Sequence, residues 1–219
     1  MSEQDIKGGR RYDNSRRAEQ ARATRRRVVE AARTLLLAQG YGGTTIGQIA
    51  AAAGVSAETV QKTFGTKAAL AKEVYDVTLV GDDEPEPLRA RSEFAAMLAE
   101  PDPRIKLERY AAISRMLWDR VGPLLDVLMQ GAQAGEPDLV AFVATVRRES
   151  LAGASGVVGN LADVGALRAG LEVERARDEL WLLIQPEQYR LLVAERGWSP
   201  DAMEDWLARA AIAALLAPA

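Results

Sequence analysis

The chain has 219 residues, carries a net charge of −3 and contains neither cysteine nor histidine. Their absence excludes disulfides, thiolate zinc sites, a cysteine nucleophile and an imidazole base, so we expect neither an enzyme nor a metal or other cofactor. The charge is uneven, because residues 1–70 carry 12 Lys or Arg against 6 Asp or Glu, while residues 71–219 carry 16 against 25. A basic amino-terminal region is typical of nucleic-acid binding.

No apolar segment follows Met1, and the longest late apolar run, at 210–217, is too short to span a bilayer. We therefore expect a cytoplasmic protein with no membrane partner. The length accommodates a small amino-terminal domain and a larger second domain.

Residues 1–20 are polar and rich in Arg and Gly, and they lack a helical apolar period. They are predicted to form a flexible basic arm, and the sequence leaves open whether this arm contacts DNA. A helical period with Val28 and Leu36 on its apolar face begins at Ala21 and ends at Gly40. Arginines follow the other face of this first helix, at Arg22, Arg25, Arg26 and Arg33.

A second, short helix is predicted over residues 45–53, where apolar residues recur three and four positions apart. Thr44 or Thr45 is positioned to cap its first turn. Gly54 permits the left-handed backbone of a tight turn, and Ser56 is positioned to cap a third helix over residues 57–64. Two short helices that meet at a sharp turn are typical of a helix-turn-helix.

The third helix buries Val60 and Phe64, and this leaves a small polar face turned outward. Such a face suits a recognition helix, which enters the major groove of DNA and bonds phosphates and base edges. Gln61 and Lys62 are the predicted base-edge contacts, although Lys62 suits a phosphate equally well. Glu58 lies four residues before Lys62, so we expect the two to form an ion pair.

A linking helix is predicted over residues 66–80, with Thr66 as its cap. Lys67 lies in its first turn, where a lysine amine and free backbone amides together suit a phosphate. These positions predict that Lys67 sets the register of the protein on DNA, while Gln61 selects a base.

The stretches TTIGQIAAAAGVS and FGTKAAL resemble the tetracycline-repressor (TetR) family of bacterial transcription regulators. The resemblance is tight over about 25–75 and elsewhere covers only helix count and order. It implies a three-helix DNA-binding domain and a dimer formed by the two carboxy-terminal helices. Ala57 stands where family members often carry a basic residue, and Gln61 where they often carry a tyrosine. DNA contact is implied at seven positions: Thr45, Ala57, Thr59, Gln61, Lys62, Thr63 and Lys67.

The segment GDDEPEP, residues 81–87, interrupts the helical pattern with two prolines and a run of carboxylates. We therefore predict a flexible arm over 1–20, a DNA-binding domain with its linking helix over 21–80, and a ligand-binding and dimerisation domain over 81–219.

The second domain shows helical periods and no sustained alternation, so the predicted fold class is all-α. Breaks are expected at Gly122-Pro123 and near Ile184, shortly before Pro186. The predicted helices span residues 88–99, 103–120, 123–134, 138–161, 172–195 and 200–216.

The middle helices carry more large apolar residues than a thin amphipathic stripe needs. Aromatic and methionine side chains with a few polar groups are typical of an adaptable ligand pocket, although the same residues at helical spacing also suit a core. The candidate ligand-binding residues are Phe94, Met97, Tyr110, Arg115, Trp118, Met129, Phe142 and Trp181.

The last two helices also carry apolar surface in excess of one stripe, including Leu182, Leu191, Trp206 and Ile212. This excess suits the interface of a twofold dimer, which would present two recognition helices to a pseudo-palindromic operator. The alternative is that these helices close the core of a monomer.

Together these patterns predict a ligand-responsive DNA-binding transcription regulator, a repressor that a small apolar or amphipathic effector releases from double-stranded DNA. The competing interpretation is a helical ligand-binding protein whose helix-turn-helix is vestigial. The effector, the operator and the regulated genes are not determined by the sequence.

Overall fold

The computed structural model describes the backbone of residues 3–81 and 91–218, and side chains in these ranges from Arg16 onward. This part of the chain is helical, and its only strand-like pairing is one bridge between Leu167 and Leu216. The all-α fold class is therefore confirmed. The helices are α1 (Glu3–Gly43), α2 (Ile46–Ala53), α3 (Ala57–Phe64), α4 (Lys67–Val80), α5 (Ser92–Ala99), α6 (Pro103–Gln133), α7 (Pro137–Asp163), α8 (Val173–Leu183), α9 (Pro186–Tyr189) with a π-helical turn (Arg190–Glu195), and α10 (Pro200–Leu215).

The first helix is longer than the sequence predicted. A flexible arm was expected over residues 1–20, but α1 begins at Glu3. Residues 1–20 lack an apolar face, but they contain no proline and their arginines are good helix formers, so the sequence permits a helix here. The predicted end at Gly40 is confirmed as an interruption, because this residue has φ 72° and ψ 173°.

Two prolines of the second domain have opposite effects on their helices. The break expected at Pro123 is wrong, because α6 runs through it from Pro103 to Gln133. Val121 and Leu124 are buried on either side of the proline, and this packing offsets the single backbone donor that proline lacks. The break before Pro186 is confirmed: α8 ends at Leu183, and Pro186 is the first residue of the next helix.

The chain forms two compact units. The first contains the residues up to Asp76 together with Asp126–Leu139, and the second contains Val77–Leu125 together with the residues from Val140 onward. The α6–α7 turn therefore belongs to the same unit as the helix-turn-helix, which the sequence did not indicate. The predicted domain boundary at 81–87 lies, beyond Gly81, outside the described residues.

The first unit is built around the packing of α2 against α1 and α3. Val28 and Leu36 of α1, Ile49 of α2 and Val60 of α3 are each at most 1% exposed. These four predicted core residues are thus buried, whereas Phe64, which was also predicted to be buried, is only partly buried. The polar residues of α3 lie on the outside.

The second unit has a core formed by α6, α7, α8 and α10, with fully buried leucines such as Leu107, Leu161, Leu180 and Leu207. One charged side chain is buried beside this core. Lys106 is 4% exposed, and its amine donates to the carbonyl of Leu98 at 3.1 Å and to the side-chain oxygen of Asn160.

Candidate nucleic-acid interface

The position of α2 is fixed by a reciprocal cap at its amino terminus. The Thr45 hydroxyl accepts a hydrogen bond from the backbone N–H of Gln48 at 3.2 Å, while the backbone N–H of Thr45 donates to the Gln48 side chain at 2.8 Å. This is a capping box, which satisfies two amides that have no partner within the helix. Thr45 was predicted as a cap from the sequence, whereas Gln48 was not, although the spacing of three residues is the signal for a capping box.

The turn of the helix-turn-helix depends on Gly54, whose φ of 67° lies in the left-handed region. Its N–H donates to Ala51, and the N–H of Val55 donates to Ala50 at 3.0 Å, so the last carbonyls of α2 are satisfied. Ser56 then caps α3, because its hydroxyl accepts from the N–H of Thr59 at 3.1 Å. The recognition helix α3 therefore starts in a defined direction.

The outward face of α3 carries most of the predicted DNA contacts. Ala57, Gln61, Lys62 and Thr63 are exposed, and Thr59 is half-buried. The Thr63 hydroxyl donates to the carbonyl of Thr59 at 2.8 Å, so its oxygen is turned along the helix and keeps its acceptor capacity. Among these residues, Gln61 and Lys62 offer the longest unshielded polar groups.

The predicted ion pair between Glu58 and Lys62 is wrong. Both side chains are described and exposed, and the structure places no salt bridge between them. In water such a pair stabilises a helix by only about 0.2–0.5 kcal/mol, which does not hold two flexible side chains together. The Lys62 amine is therefore not neutralised by its own helix.

The predicted phosphate ligand Lys67 has internal partners. Its amine donates to the carbonyl of Tyr41 at 2.9 Å and to that of Thr44 at 3.1 Å. The same amine lies 3.9 Å from the centroid of the Tyr41 ring, which is within cation–π range. Lys67 thus joins the start of α4 to the end of α1, a contact between residues too far apart in sequence for spacing to predict.

Two arginines of the predicted basic cluster also have internal roles. Arg25 lies 4.8 Å from the centroid of the Phe64 ring and forms an ion pair with Glu73 at 2.7 Å. Arg27 donates from Nε to the carbonyl of Ala53 at the end of α2, at 3.3 Å. Part of the arginine cluster therefore holds the three helices together, while Arg22 remains exposed on the surface of α1.

A groove of about 380 Å³ lies along α1 and α3. Of the two arginines that line it, Arg17 comes from the part of α1 where the sequence predicted a flexible arm, and Arg25 comes from the predicted first helix. The residues that line it are Arg17, Gln20, Ala21, Thr24, Arg25, Val28, Thr59, Thr63 and Phe64.

Most predicted ligand-binding residues are packed within the second unit. Met97, Tyr110 and Trp118 are core residues, 2%, 7% and 5% exposed, and Phe94 and Trp181 pack against the same core. Phe142 is buried as well, at 8%. These positions follow the core interpretation of the apolar spacing, and the effector site remains a prediction.

Two other members of the predicted ligand set have different surroundings. Met129 falls in the segment that belongs to the first unit, so it is not grouped with the other seven residues. Arg115 forms ion pairs with Asp119 at 2.9 Å, Asp201 at 3.3 Å and Glu204 at 3.9 Å. Its charge is therefore already neutralised by three carboxylates.

An aromatic pair, Trp118 and Tyr189, lies beside this arginine, and the sequence did not predict the contact. The Tyr189 hydroxyl donates to Asp119, and its ring centroid lies 5.3 Å from that of Trp118. Burial, the hydrogen bond to Asp119 and the negative charge of that carboxylate raise the pKa of Tyr189 to about 12. The indole N–H of Trp181 is buried in the same unit without a hydrogen-bond partner.

The carboxy-terminal helices divide their apolar residues between the core and the surface. Leu207 and Leu215 of α10 are buried in the core, whereas Leu182 of α8 is 57% exposed and Leu191 of the π-helical turn is 41% exposed. The described residues include no cluster of metal-ligating side chains. Nor does any helix in that part of the chain have the length and apolar character needed to cross a membrane.

The fold and this site define the chain as a helical protein with an amino-terminal helix-turn-helix. The sequence model of the family described as "Bacterial regulatory proteins, tetR family" matches residues 28–74, which span α1 to α4. The amino-terminal region of the chain is therefore similar to the corresponding region of that family. No curated protein matches the chain.

Solved structures extend the likeness along the chain, and at these identities they show the fold alone. NalD, the secondary repressor of the MexAB-OprM multidrug efflux pump in Pseudomonas aeruginosa, is 22% identical with a TM-score of 0.70, covering 90% of this chain and 98% of NalD. A putative transcriptional regulator from Saccharomonospora viridis in complex with choline is 19% identical (TM-score 0.67; 89% and 98% covered). The SmeT–triclosan complex is 16% identical (TM-score 0.68; 89% and 92% covered).

Proposed function

We propose that this protein is a homodimeric transcription repressor, which leaves a pseudo-palindromic operator when a small apolar or amphipathic effector binds its second domain. The observation that carries the proposal is the recognition helix α3. It is capped by Ser56, buried through Val60, and turns Gln61 and Lys62 outward. A helix held in this way presents its polar side chains to the major groove at low entropic cost.

We assign the recognition of the DNA sequence to Gln61, because its side-chain amide offers both a donor and an acceptor to a base edge. Lys62 supplies charge for a phosphate, and Thr45 and Thr63 supply hydroxyls near the backbone of the duplex. Ala57 and Thr59 contribute contact surface. These roles rest on the exposure of the α3 face and on the family match over residues 28–74.

A dimer is proposed through the exposed apolar residues of the carboxy-terminal helices, chiefly Leu182 and Leu191. Twofold symmetry would place two recognition helices on half-sites about one helical turn, roughly 34 Å, apart. Two structurally similar proteins were solved with small molecules, choline in one case and triclosan in the other. These complexes support the proposal that this protein binds a small-molecule effector.

Release from DNA follows from a population shift. An effector that binds more tightly to the arrangement in which the two recognition helices miss consecutive grooves lowers DNA affinity by that difference in binding. No covalent step is required, and the second domain contributes only binding energy.

The test is a salt-titrated binding isotherm of the full chain on DNA from upstream of its own coding sequence, beside scrambled DNA of equal length. Site-selective binding with a steep salt dependence, reporting roughly 6–10 neutralised phosphates, is the expected result. Binding that is weak, equal on both fragments and insensitive to salt would favour a helical ligand-binding protein with a vestigial helix-turn-helix. Two observations favour that second candidate: the carboxylate of Glu58 is exposed on α3, where it would repel DNA, and the Lys67 amine donates to a backbone carbonyl within the protein.

A further inference from the structure

We propose that Lys67 and Tyr41 form a joint that positions the recognition helix and couples it to the α6–α7 turn, so that Lys67 acts as a positioning residue and not as a phosphate ligand. This inference rests on the proposed DNA-binding function. It assigns Lys67 a role different from the one implied by the family resemblance.

The Lys67 amine is engaged within the protein. An ammonium group has three N–H donors and no acceptor. Two of them are directed to the carbonyls of Tyr41 and Thr44, at 2.9 and 3.1 Å, and the face of the Tyr41 ring lies 3.9 Å from the nitrogen. A phosphate would have to compete with the ring face for the third N–H or displace one of the two carbonyls.

The two carbonyls that Lys67 contacts lie at the junction between α1 and α2. The helical geometry of α1 is interrupted at Gly40; Tyr41 lies in the last residues of α1 after this interruption, and Thr44 lies in the short connection that leads to α2. Thr44 is fully buried, and its hydroxyl donates to the carbonyl of Gly40 at 2.8 Å. Lys67 therefore ties a buried connection before the helix-turn-helix to the first residue of α4, directly after it.

Tyr41 packs beside Gly131, which precedes the α6–α7 turn, and both lie in the same compact unit. A Cβ atom added at Gly131 would lie 3.5 Å from Cβ of Tyr41 and only 2.4 Å from Cδ1 of Leu139. An added Cβ would therefore require the Leu139 side chain to shift, and Leu139 is fully buried among its neighbours. The chain of contact thus runs from the turn through Tyr41 to Lys67.

Electrostatics act at the same place. Tyr41 is 5% exposed, and burial together with the nearby carboxylates of Glu136 and Asp138 raises its pKa. The acidic end of the turn therefore faces the same side chain that holds the lysine. Because α6 and α7 continue along the chain into the second unit, a shift of either helix reaches this joint by covalent connection.

The experiment compares Lys67→Met, Lys67→Arg and Gly131→Ala in the full chain, with Lys62→Ala as the matched control on the exposed face of α3. Each variant is titrated with salt on the upstream and the scrambled DNA. In parallel, hydrogen exchange of the α3 amides is measured without DNA, which makes this readout independent of whether the operator has been found.

For Lys67→Met we expect an unchanged salt slope on either DNA and a loss of selectivity of about tenfold, within the usual range for coupled sites. Lys62→Ala should instead lower the slope by about 0.9, the value for one lost phosphate contact. Lys67→Arg keeps the charge and would serve a phosphate at least as well, but a planar guanidinium does not fit two carbonyls and a ring face. We therefore expect it to lose selectivity too, which keeps the test decisive if Lys67→Met does not fold.

Gly131→Ala lies outside every element predicted to touch DNA, and we expect it to speed hydrogen exchange in α3. The effect should shrink when Leu139→Ala removes the clashing atom, giving a non-additive double-mutant cycle. A slope lowered by Lys67→Met, or α3 exchange unchanged by Gly131→Ala, overturns the inference. Wild-type binding that is equal on both DNAs overturns the proposed function instead, so the two failures are distinct.

Discussion

Arg25 of α1 lies over the ring of Phe64, the last residue of the recognition helix, with 4.8 Å between its guanidinium carbon and the ring centroid. The same guanidinium forms an ion pair with Glu73 of α4 at 2.7 Å. One side chain therefore connects the helix before the helix-turn-helix, the end of α3 and the linking helix. The recognition helix is held from its carboxy-terminal side as well as by its caps.

We predict that Arg25→Ala destabilises the amino-terminal unit by about 1 kcal/mol, the sum expected for an exposed cation–π contact and a half-exposed ion pair. Chemical denaturation followed by circular dichroism measures this loss. Arg22→Ala is the control, since Arg22 is exposed on the same helix and should change stability by no more than about 0.5 kcal/mol. Equal effects of the two substitutions would mean that Arg25 contributes only charge.

The helix-turn-helix was predictable because its signals are local. Thr45, Gly54 and Ser56 act on backbone groups within a few residues, so their roles could be inferred from spacing, and the structure places α2 and α3 where the sequence put them. Lys67 and Arg25 are different. Their partners lie 26 and 48 residues away along the chain, and no periodicity encodes such contacts.

In the second unit, too, the sequence predicted local structure but not which residues are in contact. Apolar spacing predicted its helices but did not distinguish a core from a pocket, because Met97, Tyr110 and Trp118 have the same hydrophobic pattern in both cases. The break predicted at Pro123 was wrong for a related reason. Its local effect is to break a helix, and the packing of its buried neighbours outweighs that effect.

The capping box of α2 gives a second prediction. Thr45→Ala removes the acceptor for the backbone N–H of Gln48. We therefore expect a loss of about 1 kcal/mol in the stability of the amino-terminal unit, together with faster hydrogen exchange at that N–H. Thr45→Ser keeps the hydroxyl and should remain close to wild type. If both substitutions cost the same, the methyl group of Thr45 and not its hydroxyl is what stabilises α2.

The exposed face of α3 gives a third prediction, which separates the residue that selects a base pair from the residue that contributes affinity for any DNA. Gln61→Ala should relax the preference at one base pair, worth about 1–3 kcal/mol between cognate and altered sites, with little change in salt dependence. Lys62→Ala should weaken binding to all sequences alike and lower the salt slope by about 0.9. Titrations on a set of single-base operator variants measure both effects. The same pattern from the two substitutions would contradict the assigned roles.

Tyr189 gives a prediction about alkaline stability. Burial, the hydrogen bond to Asp119 and that residue's charge raise its pKa from 10.0 to about 12. Below about pH 10 the phenol is protonated in both the folded and the unfolded chain, so its contribution is fully present. Between about pH 10 and pH 12 the unfolded chain releases the proton while the folded chain keeps it. Unfolding is then favoured, and the contribution of Tyr189 falls as the pH rises through this window.

We therefore expect wild-type stability to fall more steeply than that of Tyr189→Phe as the pH rises from about 9 to about 11. Phenylalanine keeps the ring against Trp118 but has no proton to lose, so it isolates the ionisation from the packing. Denaturant unfolding at several pH values in this interval measures the difference. Parallel curves for the two proteins would show that the Tyr189 hydroxyl is solvated and that its hydrogen bond to Asp119 does not persist in solution.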